Sequence, residues 1–277
     1  MRTTTIAGDT VPVLGQGTWQ LGDRADRRQQ EIAALQLGID LGMSLIDTAE
    51  MYGEGASEEL VAAAIAGRRD QVFLVTKVLP SNATSKKRIV TSCENSLRRL
   101  RVEHVDLYLL HWRQSEKLAV VVEAFTELVA AGKIRHWGVS NFDVADLEEL
   151  ESLPGGKNVA SDQVLYNVTR RGIEFELLPR TRAKDINVMA YTPIEQGRIL
   201  GNTALREVAR RHNVSPAQIA LAWTIRSAGV VSIPRSGSPA HTRENAAAAG
   251  IELTDRDLQE IDRAFAPPKK SQPLEML

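Results

Sequence analysis

Four residues in the first half of the sequence, Asp47, Tyr52, Lys77 and His111, could together move a proton. Asp47, Lys77 and His111 each follow an apolar run that is typical of a buried β-strand, and Tyr52 lies five residues after Asp47. Such runs usually end in turn residues, not in a carboxylate, an amine and an imidazole. Because parallel α/β proteins place their chemistry at the carboxyl ends of strands, the pattern favours proton transfer to a polarised oxygen.

The four side chains suit different parts of such a reaction. A phenol has a pKa of about 10, so Tyr52 needs a nearby ammonium to stabilise its phenolate. We expect Lys77 to supply that charge and to lower the pKa of Tyr52, and Asp47 to keep Lys77 charged. A neutral His111 would donate a hydrogen bond to the substrate oxygen. The alternatives are a structural Asp47–Lys77 ion pair and a histidine satisfied within the core.

The elements that must position these residues alternate between strand and helix. Residues 3–6 and 11–13 predict a hairpin, and eight strand–helix units follow without a linker rich in Pro, Gly or Ser. Eight such units in 277 residues favour α/β architecture as a single closed (β/α)8 TIM barrel. The predicted strands are residues 14–18, 43–46, 72–76, 105–110, 134–139, 159–166, 187–191 and 230–233.

Helix starts are predicted from residues that commonly cap helices, namely Ser57, Ser85, Asp143, Ser215 and Ser238. The predicted helices cover residues 27–41, 57 onward, 85–100, 118–130, 143–150, 175–184, 204–212, 216–227 and 239–248. We expect one domain over residues 1–277, with the hairpin at about 3–13, the barrel at about 14–250 and a C-terminal helix and short tail at 251–277.

A doubly wound sheet of two domains is the rival architecture. It would require a Gly-x-Gly-x-x-Gly segment at the first strand–helix turn. The nearest candidate, Gly15-Gln-Gly-Thr-Trp-Gln20, lacks the third glycine and is not followed directly by a helix. The barrel is therefore favoured.

Composition argues against several classes of function. The net charge of −1 gives no field that attracts nucleic acid or an anionic membrane. Cys93 is the single cysteine, which excludes an intramolecular disulfide and a cysteine-based zinc site, and it is expected to be a buried filler. The histidine spacings offer no ligand set for a metal-bound water. With no signal segment and no long apolar stretch, the protein is expected to be soluble and cytoplasmic.

Segments along almost the whole chain resemble the signature segments of the aldo-keto reductases. Their order and spacing match from about residue 14 to residue 266, and the similarity is greatest to bacterial members associated with methylglyoxal reduction. The segments are Leu14-Gly-Gln-Gly-Thr-Trp19, Ile46-Asp-Thr-Ala-Glu-Met-Tyr-Gly53, Thr76-Lys77, Leu109-Leu-His-Trp112, Gly138-Val-Ser-Asn-Phe142, Gln163, Ala190-Tyr-Thr-Pro193 and Ile233-Pro-Arg-Ser236.

The resemblance implies a barrel that binds a nicotinamide dinucleotide without a Rossmann domain. It makes Asp47, Tyr52, Lys77 and His111 the catalytic tetrad, with Tyr52 as proton donor. Tyr191 would stack on the nicotinamide. The residues implied in cofactor binding come from several strand ends and from the last barrel helix: Gly17, Thr18, Trp19, Asp47, Ser140, Asn141, Gln163, Tyr191, Gln196, Gly197, Arg198, Arg235, Ser236, Ser238, His241, Glu244 and Asn245.

Within that set, the resemblance assigns the phosphates and the carboxamide to different groups. Ser140, Asn141 and Gln163 would hydrogen-bond the carboxamide, and the 196–198 loop would lie over the pyrophosphate. Arg235, Ser236 and the helix start at Ser238 would meet the adenosine 2′-phosphate, because a guanidinium and helix N–H groups favour an anion. Family members usually carry Lys in place of Arg235 and Arg in place of His241. NADPH is the expected cofactor, ahead of NADH.

The predicted substrate pocket joins Tyr52 and His111 to an apolar wall made of Trp19, Met51 and Trp112. In family members that accept steroids, the loop after the residue that matches His111 and the C-terminal tail build the outer rim of the pocket. Both segments are short here, the tail being residues 267–277, so the resemblance implies a shallow, open pocket that suits small aldehydes and dicarbonyls. A monomer acting on a small carbonyl substrate is expected. Two other functions stay open: a catalytically weak nucleotide sensor or scaffold on the same barrel, and a hydrolase or aldolase in which Lys77 forms a Schiff base.

Overall fold

The computed structural model describes residues 1–114 and 117–277. The strands are β1 (Thr3–Ile6), β2 (Asp9–Pro12), β3 (Gln16–Gly17), β4 (Leu45–Asp47), β5 (Phe73–Val78), β6 (Val105–Leu110), β7 (Ile134–Ser140), β8 (Ser161–Leu165), β9 (Asn187–Tyr191) and β10 (Val230–Ser232). The α-helices are α1 (Arg28–Asp40), α2 (Ala56–Ala64), α3 (Lys86–Leu100), α4 (Leu118–Ala130), α5 (Val144–Ser152), α6 (Leu177–Ala183), α7 (Thr203–His212), α8 (Pro216–Thr224), α9 (Pro239–Ala247) and α10 (Asp255–Ala264).

Strands β3 to β10 form one parallel sheet of eight strands in chain order. The first and last strands also meet, because Gly15 N donates to Ser232 O at 2.8 Å and Gly17 N donates to Pro234 O at 3.1 Å. These bonds close the sheet into a barrel, and helices follow its strands along the chain. The predicted (β/α)8 barrel is confirmed.

The hairpin of β1 and β2 sits against the barrel interior, where Ile6 and Val11 pack with the inward-facing residues of the strands. Its second strand begins at Asp9, two residues earlier than predicted. Ala7 and Gly8 take positive φ angles of 47° and 90°, so the turn is completed in two residues and pairing resumes at once. The other predicted strand and helix ends lie within three residues of those observed.

Strand alternation decides which side chains enter the barrel. Leu45, Val75, Leu107, Met189 and Val231 belong to one buried cluster with the hairpin residues. Since neighbours along a strand face opposite sides, Asp47 and Lys77, two residues after Leu45 and Val75, share the interior face at the carboxyl end. The buried apolar cluster therefore fills the barrel interior beneath the Asp47–Lys77 pair.

The outward strand faces and the helices form the larger core. As expected, Trp137 and Trp223 are core residues, exposed by 3% and 0%, and Cys93 is buried. Burial raises the pKa of Cys93 to about 12, which keeps it an inert thiol at neutral pH. No helix in the described ranges, 1–114 and 117–277, is long and apolar enough to cross a bilayer.

Three of the predicted helix caps are confirmed. The side chain of Ser85 accepts from Arg88 N, and Asp143 and Ser215 both form reciprocal capping boxes with the residue three positions later. These contacts satisfy backbone N–H groups at the starts of α3, α5 and α8 that otherwise have no partner within the helix.

The prediction that Ser57 caps α2 was wrong. The helix begins at Ala56 behind Gly55, whose φ of 98° is left-handed, and Ser57 lies buried inside the first turn. Ser238 stands at the cap position of α9, but its side chain makes no capping bond. Its backbone N–H instead donates to Ser236 Oγ at 3.3 Å.

Candidate active site

An ion pair lies at the centre of the barrel's carboxyl end. Lys77 is fully buried, and its Nζ donates to Asp47 Oδ2 at 2.8 Å, to Thr48 O at 2.9 Å and to the Tyr52 hydroxyl at 3.2 Å. The other Asp47 oxygen accepts from Gln163 Nε2 at 2.7 Å. All three ammonium protons therefore have partners, and one of those partners is the tyrosine oxygen.

Burial and charge act against each other on this pair. Burial lowers the pKa of Lys77, but the Asp47 carboxylate and Tyr52 together outweigh it, so the pKa is raised and the ammonium stays charged. Burial raises the pKa of Tyr52, and Lys77 lowers it by less, so the net pKa lies above the ordinary value. The expected net lowering was wrong because the phenolate loses more hydration than Lys77 restores. Tyr52 consequently keeps its proton at neutral pH.

His111 completes the group as a neutral imidazole. Its ring centroid lies 5.7 Å from that of Tyr52, edge to face, and 4.9 Å from that of Trp112. Burial, with a smaller contribution from the Lys77 charge, lowers the pKa of His111 to about 2. A neutral ring at physiological pH can donate one hydrogen bond, as expected from the sequence.

A tight turn after Tyr52 fixes its direction. Gly53, Glu54 and Gly55 all have left-handed backbones, with φ angles of 57°, 53° and 98°. A Cβ at Gly53 would lie 2.5 Å from Asp23 Oδ1, so a larger residue would have to displace the exposed Asp23 side chain, and the left-handed φ favours glycine. This turn carries the chain from the Tyr52 side chain directly into α2.

Buried hydroxyl groups hold the backbone carbonyl of Asp47 in place. Thr18 N and Oγ1 both donate to Asp47 O at 3.0 Å, and Ser57 Oγ donates to Thr18 Oγ1 at 2.7 Å. Thr48 Oγ1 in turn donates to Ser57 Oγ at 3.2 Å. Thr18, expected to bind the cofactor, here holds the end of β4. Sequence reasoning missed Ser57, because a serine near a helix start already has an explanation as a cap.

The residues predicted to bind the carboxamide of the cofactor lie close together beside the ion pair. Ser140 Oγ donates to Gln163 O at 2.8 Å, Asn141 Nδ2 donates to His111 O at 3.3 Å, and the Tyr191 hydroxyl donates to Asn141 Oδ1 at 2.9 Å. These contacts join the ends of β7, β8 and β9 to His111.

The C-terminal tail reaches the same place, which the sequence did not indicate. Burial raises the pKa of Tyr191 to about 12, and a backbone hydrogen bond with Leu277 lowers it in part. Two residues earlier in the tail, Glu275 accepts from Arg170 Nη1 at 2.6 Å. The tail is short but lies over the carboxyl end of the barrel rather than apart from it.

The predicted phosphate residues lie along the seam between β10 and β3. Gly17 pairs with Arg235 across that seam, and the exposed Arg235 makes no ion pair within the described residues. Ser236 Oγ donates to Ser238 O at 2.9 Å, which shapes the entry into α9. On that helix, His241 is exposed, Glu244 is half-buried and Asn245 is buried.

The loop after β9 contributes another exposed guanidinium. Gln196 and Arg198 are exposed, and Gly197 lies between them with a φ of 87°. Arg198 Nη2 pairs with Glu195 at 2.8 Å. Three groups are donors that fit a phosphorylated dinucleotide: the guanidinium of Arg235, which has no ion-pair partner among the described residues, the N–H groups at the start of α9, and the exposed guanidinium of Arg198.

The predicted apolar wall flanks the tetrad and is open to solvent. Trp19 and Met51 are 43% and 39% exposed, which is unusual for such large side chains, and Trp112 packs on His111. In the described ranges, no group of three or more His, Cys, Asp or Glu side chains is arranged to hold a metal ion.

Comparison with known proteins agrees with this geometry. Residues 13–266 match the sequence model of the aldo/keto reductase family, and the chain belongs to that family of oxidoreductases. Methylglyoxal reductase YeaE of Escherichia coli (strain K12) is 48% identical over 278 residues, which cover 98% of each chain. Glyoxal reductase of Bacillus subtilis (strain 168) is 32% identical and covers 92% of this chain and 89% of its own.

A solved structure shows the same fold. The crystal structure of an aldo/keto reductase from Klebsiella pneumoniae in complex with NADP and acetate has a TM-score of 0.97, 45% identity and 99% coverage of both chains. A second structure from that organism, in complex with NADPH, also has a TM-score of 0.97, with 44% identity and full coverage of both chains. The family resemblance expected from the sequence is confirmed.

Proposed function

We propose that this chain reduces small aldehydes and 2-oxoaldehydes such as methylglyoxal with NADPH, and that Tyr52 is the proton donor. The observation that carries the proposal is the buried chain Asp47–Lys77–Tyr52, which ends in a phenol that is only half-buried at the barrel's mouth. The relatives named for methylglyoxal and glyoxal reduction support the substrate class.

Each residue of the tetrad has a separate task in the reduction. A bound NADPH supplies the hydride, and the carbonyl oxygen then gains negative charge. Tyr52 transfers its O–H proton to that oxygen, and Lys77 Nζ, 3.2 Å away, stabilises the phenolate that remains. Asp47 keeps Lys77 charged in a site where burial alone would favour the amine. A solvent proton then restores the phenol.

His111 and the apolar wall act on the substrate rather than on the proton. The neutral imidazole can donate a hydrogen bond to the carbonyl oxygen and so orient it toward Tyr52. Trp19, Met51 and Trp112 would exclude water on one side of a small carbonyl compound. Because two of these side chains are partly exposed, the pocket suits short substrates better than long ones.

The cofactor residues fit NADPH in particular. Arg235, Ser236 and the start of α9 offer a charge and N–H groups to the 2′-phosphate, and NADP or NADPH is the nucleotide in both Klebsiella structures. We expect NADPH to exceed NADH by about 30- to 1000-fold in kcat/KM, since each charge-assisted hydrogen bond contributes about 1.5–3 kcal/mol before desolvation. Arg235→Ala should remove most of that preference.

The test is a panel of small carbonyls assayed with the purified chain. Methylglyoxal, glyoxal and unsubstituted aldehydes should each oxidise NADPH, and NADH should be used far less well. If NADPH binds but no carbonyl is reduced, the chain is a nucleotide-binding protein and not a reductase. Equal efficiency with the two nucleotides would show that the residues after β10 do not recognise the 2′-phosphate.

We also propose that residues 1–277 form one barrel domain that works as a monomer. All four tetrad residues lie in the strands of one barrel or in the loops that follow them, so no second copy is needed to complete the site. Light scattering of the purified chain should give the mass of one copy, 30.5 kDa. A stable dimer would contradict the expectation.

A further inference from the structure

The loop after β9 contains a buried carboxylate, Glu195, whose side chain is 6% exposed. One of its oxygens accepts from Asn167 Nδ2 at 2.7 Å. The other is shared by two guanidinium groups, with Arg170 Nη2 at 3.0 Å and Arg198 Nη2 at 2.8 Å. Arg198 belongs to the segment that we expect at the cofactor's pyrophosphate, so this carboxylate holds a predicted phosphate ligand.

The backbone of this loop depends on those contacts. Thr192, Glu195 and Gln196 have left-handed φ angles of 52°, 49° and 54°, a conformation that is unfavourable for any residue other than glycine and most of all for a β-branched one. Asn167 Nδ2 also donates to Thr192 O at 3.0 Å, so one amide joins the first turn of the loop to the carboxylate. Glu195 therefore fixes both the shape of the loop and the place where Arg198 rests.

The two arginines differ in how firmly they are held. Arg170 is 33% exposed, and its Nη1 is bound to Glu275 at 2.6 Å. Its backbone N–H donates to Asn167 O at 3.1 Å. Arg198 is 55% exposed, and Glu195 is the one ion-pair partner that it has within the described residues. Arg198 can turn toward a phosphate, whereas Arg170 stays in place.

We propose that Arg170 is a positioning residue for cofactor binding, which releases Arg198 by neutralising Glu195. With Arg170 present, the departure of Arg198 leaves the carboxylate with two N–H contacts from Arg170 and one from Asn167. Without Arg170, that departure leaves a buried carboxylate with an amide alone, which is strongly unfavourable. Arg198 is then retained by Glu195. This inference rests on the proposed use of NADPH.

The test measures the NADPH dissociation constant of the purified chain by fluorescence titration, independently of turnover. Arg170→Met should weaken binding about tenfold, equivalent to one partly solvated charge contact. The kcat at saturating NADPH should change less than about twofold, because the tetrad is untouched. Arg170→Lys should give an intermediate affinity, and it carries the same test if Arg170→Met does not fold.

Two combinations separate this role from a general loss of loop structure. Arg170→Met with Glu195→Gln should bind NADPH more tightly than Arg170→Met alone, because no buried charge then retains Arg198. In an Arg198→Met background, Arg170→Met should cause no further loss. As the matched control, Glu275→Gln removes the other ion pair of Arg170 and should leave the dissociation constant unchanged.

Several results would overturn the inference: wild-type affinity in Arg170→Met and Arg170→Lys, no recovery in the double variant with Glu195→Gln, or a further loss in the Arg198→Met background. A wild-type chain that does not bind NADPH at all would instead contradict the proposed function. The two failures are therefore distinguishable in one set of titrations.

Discussion

The chain has two tyrosines that each lie beside a cation and a carboxylate, and they differ in what their hydroxyl groups contact. Tyr166 is fully buried; its hydroxyl donates to Glu174 Oε1 at 2.7 Å and accepts from Arg226 Nη1 at 2.9 Å. Arg226 also lies over the Trp223 ring, with Cζ 3.6 Å from the centroid. The proton of Tyr166 thus already has an acceptor within the fold.

Tyr52 is placed differently. Its hydroxyl accepts from Lys77 at 3.2 Å, and among the described residues it has no acceptor for its own proton. The carboxylate of this site, Asp47, contacts the lysine and not the phenol. The tyrosine is half-buried at the mouth of the barrel, so a substrate oxygen can take the place of the missing acceptor.

The comparison shows that residue types alone do not identify a proton donor. In the Tyr166 cluster the carboxylate accepts a hydrogen bond from the phenol, and the cation donates to both of them. In the Tyr52 cluster the carboxylate serves the cation, and the proton is left for a ligand. The order of the contacts, from carboxylate to ammonium to phenol, distinguishes the catalytic Tyr52 cluster from the structural Tyr166 cluster.

The largest effect that we expect from this difference is on turnover. Tyr52→Phe should lower kcat for methylglyoxal reduction by about two to four orders of magnitude, the usual contribution of a positioned acid, with NADPH affinity nearly unchanged. Tyr166→Phe is the matched control and should keep kcat within about twofold while it lowers the free energy of unfolding by about 1–3 kcal/mol. Near-normal turnover in Tyr52→Phe would remove the distinction between the two sites.

Substitutions of the two cations, Lys77 and Arg226, should differ in the same way, one affecting turnover and the other stability. Lys77→Met should lower kcat at least about 100-fold, because the Tyr52 phenolate loses the charge that stabilises it. Asp47→Asn should be milder, since Lys77 can keep part of its charge. Arg226→Met should destabilise the fold without lowering kcat. Steady-state kinetics and thermal unfolding of the three variants check this; unchanged rates in Lys77→Met and Asp47→Asn would make the pair purely structural.

The smallest expected effect concerns the acid stability of the structural cluster. Burial raises the pKa of Glu174, but hydrogen bonds from Arg171, Tyr166 and Arg226 outweigh it, so the pKa is lowered in the folded state. The resulting stabilisation is complete above the ordinary glutamate pKa and is lost as the pH falls through the lowered value. Glu174→Gln should lower the free energy of unfolding at about pH 7 by about 1–3 kcal/mol and flatten its dependence on acid. Urea unfolding at about pH 7 and about pH 3 measures both; an unchanged acid dependence would contradict the assignment.

Much of the fold could be predicted from the sequence because its signals are local. The barrel's strands and helices are defined by residues close together in sequence. These signals are apolar runs, capping residues such as Asp143, and the turn at Gly132. The failures at Ser57 and Ser238 have different causes. The Ser57 hydroxyl donates to Thr18 Oγ1 in a segment far away in sequence, which no local pattern shows. Ser238 does stand at the cap position, but its backbone N–H donates to Ser236 Oγ within the same loop and its side chain makes no capping bond.

The sequence was enough to predict which residues form the site, but not the net pKa of its tyrosine. Strand ends placed Asp47, Lys77 and His111 on one face, because parallel strands share an edge. The net pKa of Tyr52 was not predictable, since it depends on how burial compares with one charge 3.2 Å away. The contact between the tail and Tyr191 and the shared carboxylate Glu195 join segments far apart in sequence, and only the folded chain shows them.

The central claim, that Tyr52 and not His111 gives the proton, is tested most directly by the pH profile of kcat for carbonyl reduction. The pKa of His111 is about 2 and that of Tyr52 lies above its ordinary value, so neither group titrates near neutrality. We predict a level kcat from about pH 5 to about pH 9, with a decline only above that range as Tyr52 loses its proton. A descending limb with a midpoint at about pH 6 to 7, retained in Tyr52→Phe, would show that a protonated histidine is the donor and would contradict the account.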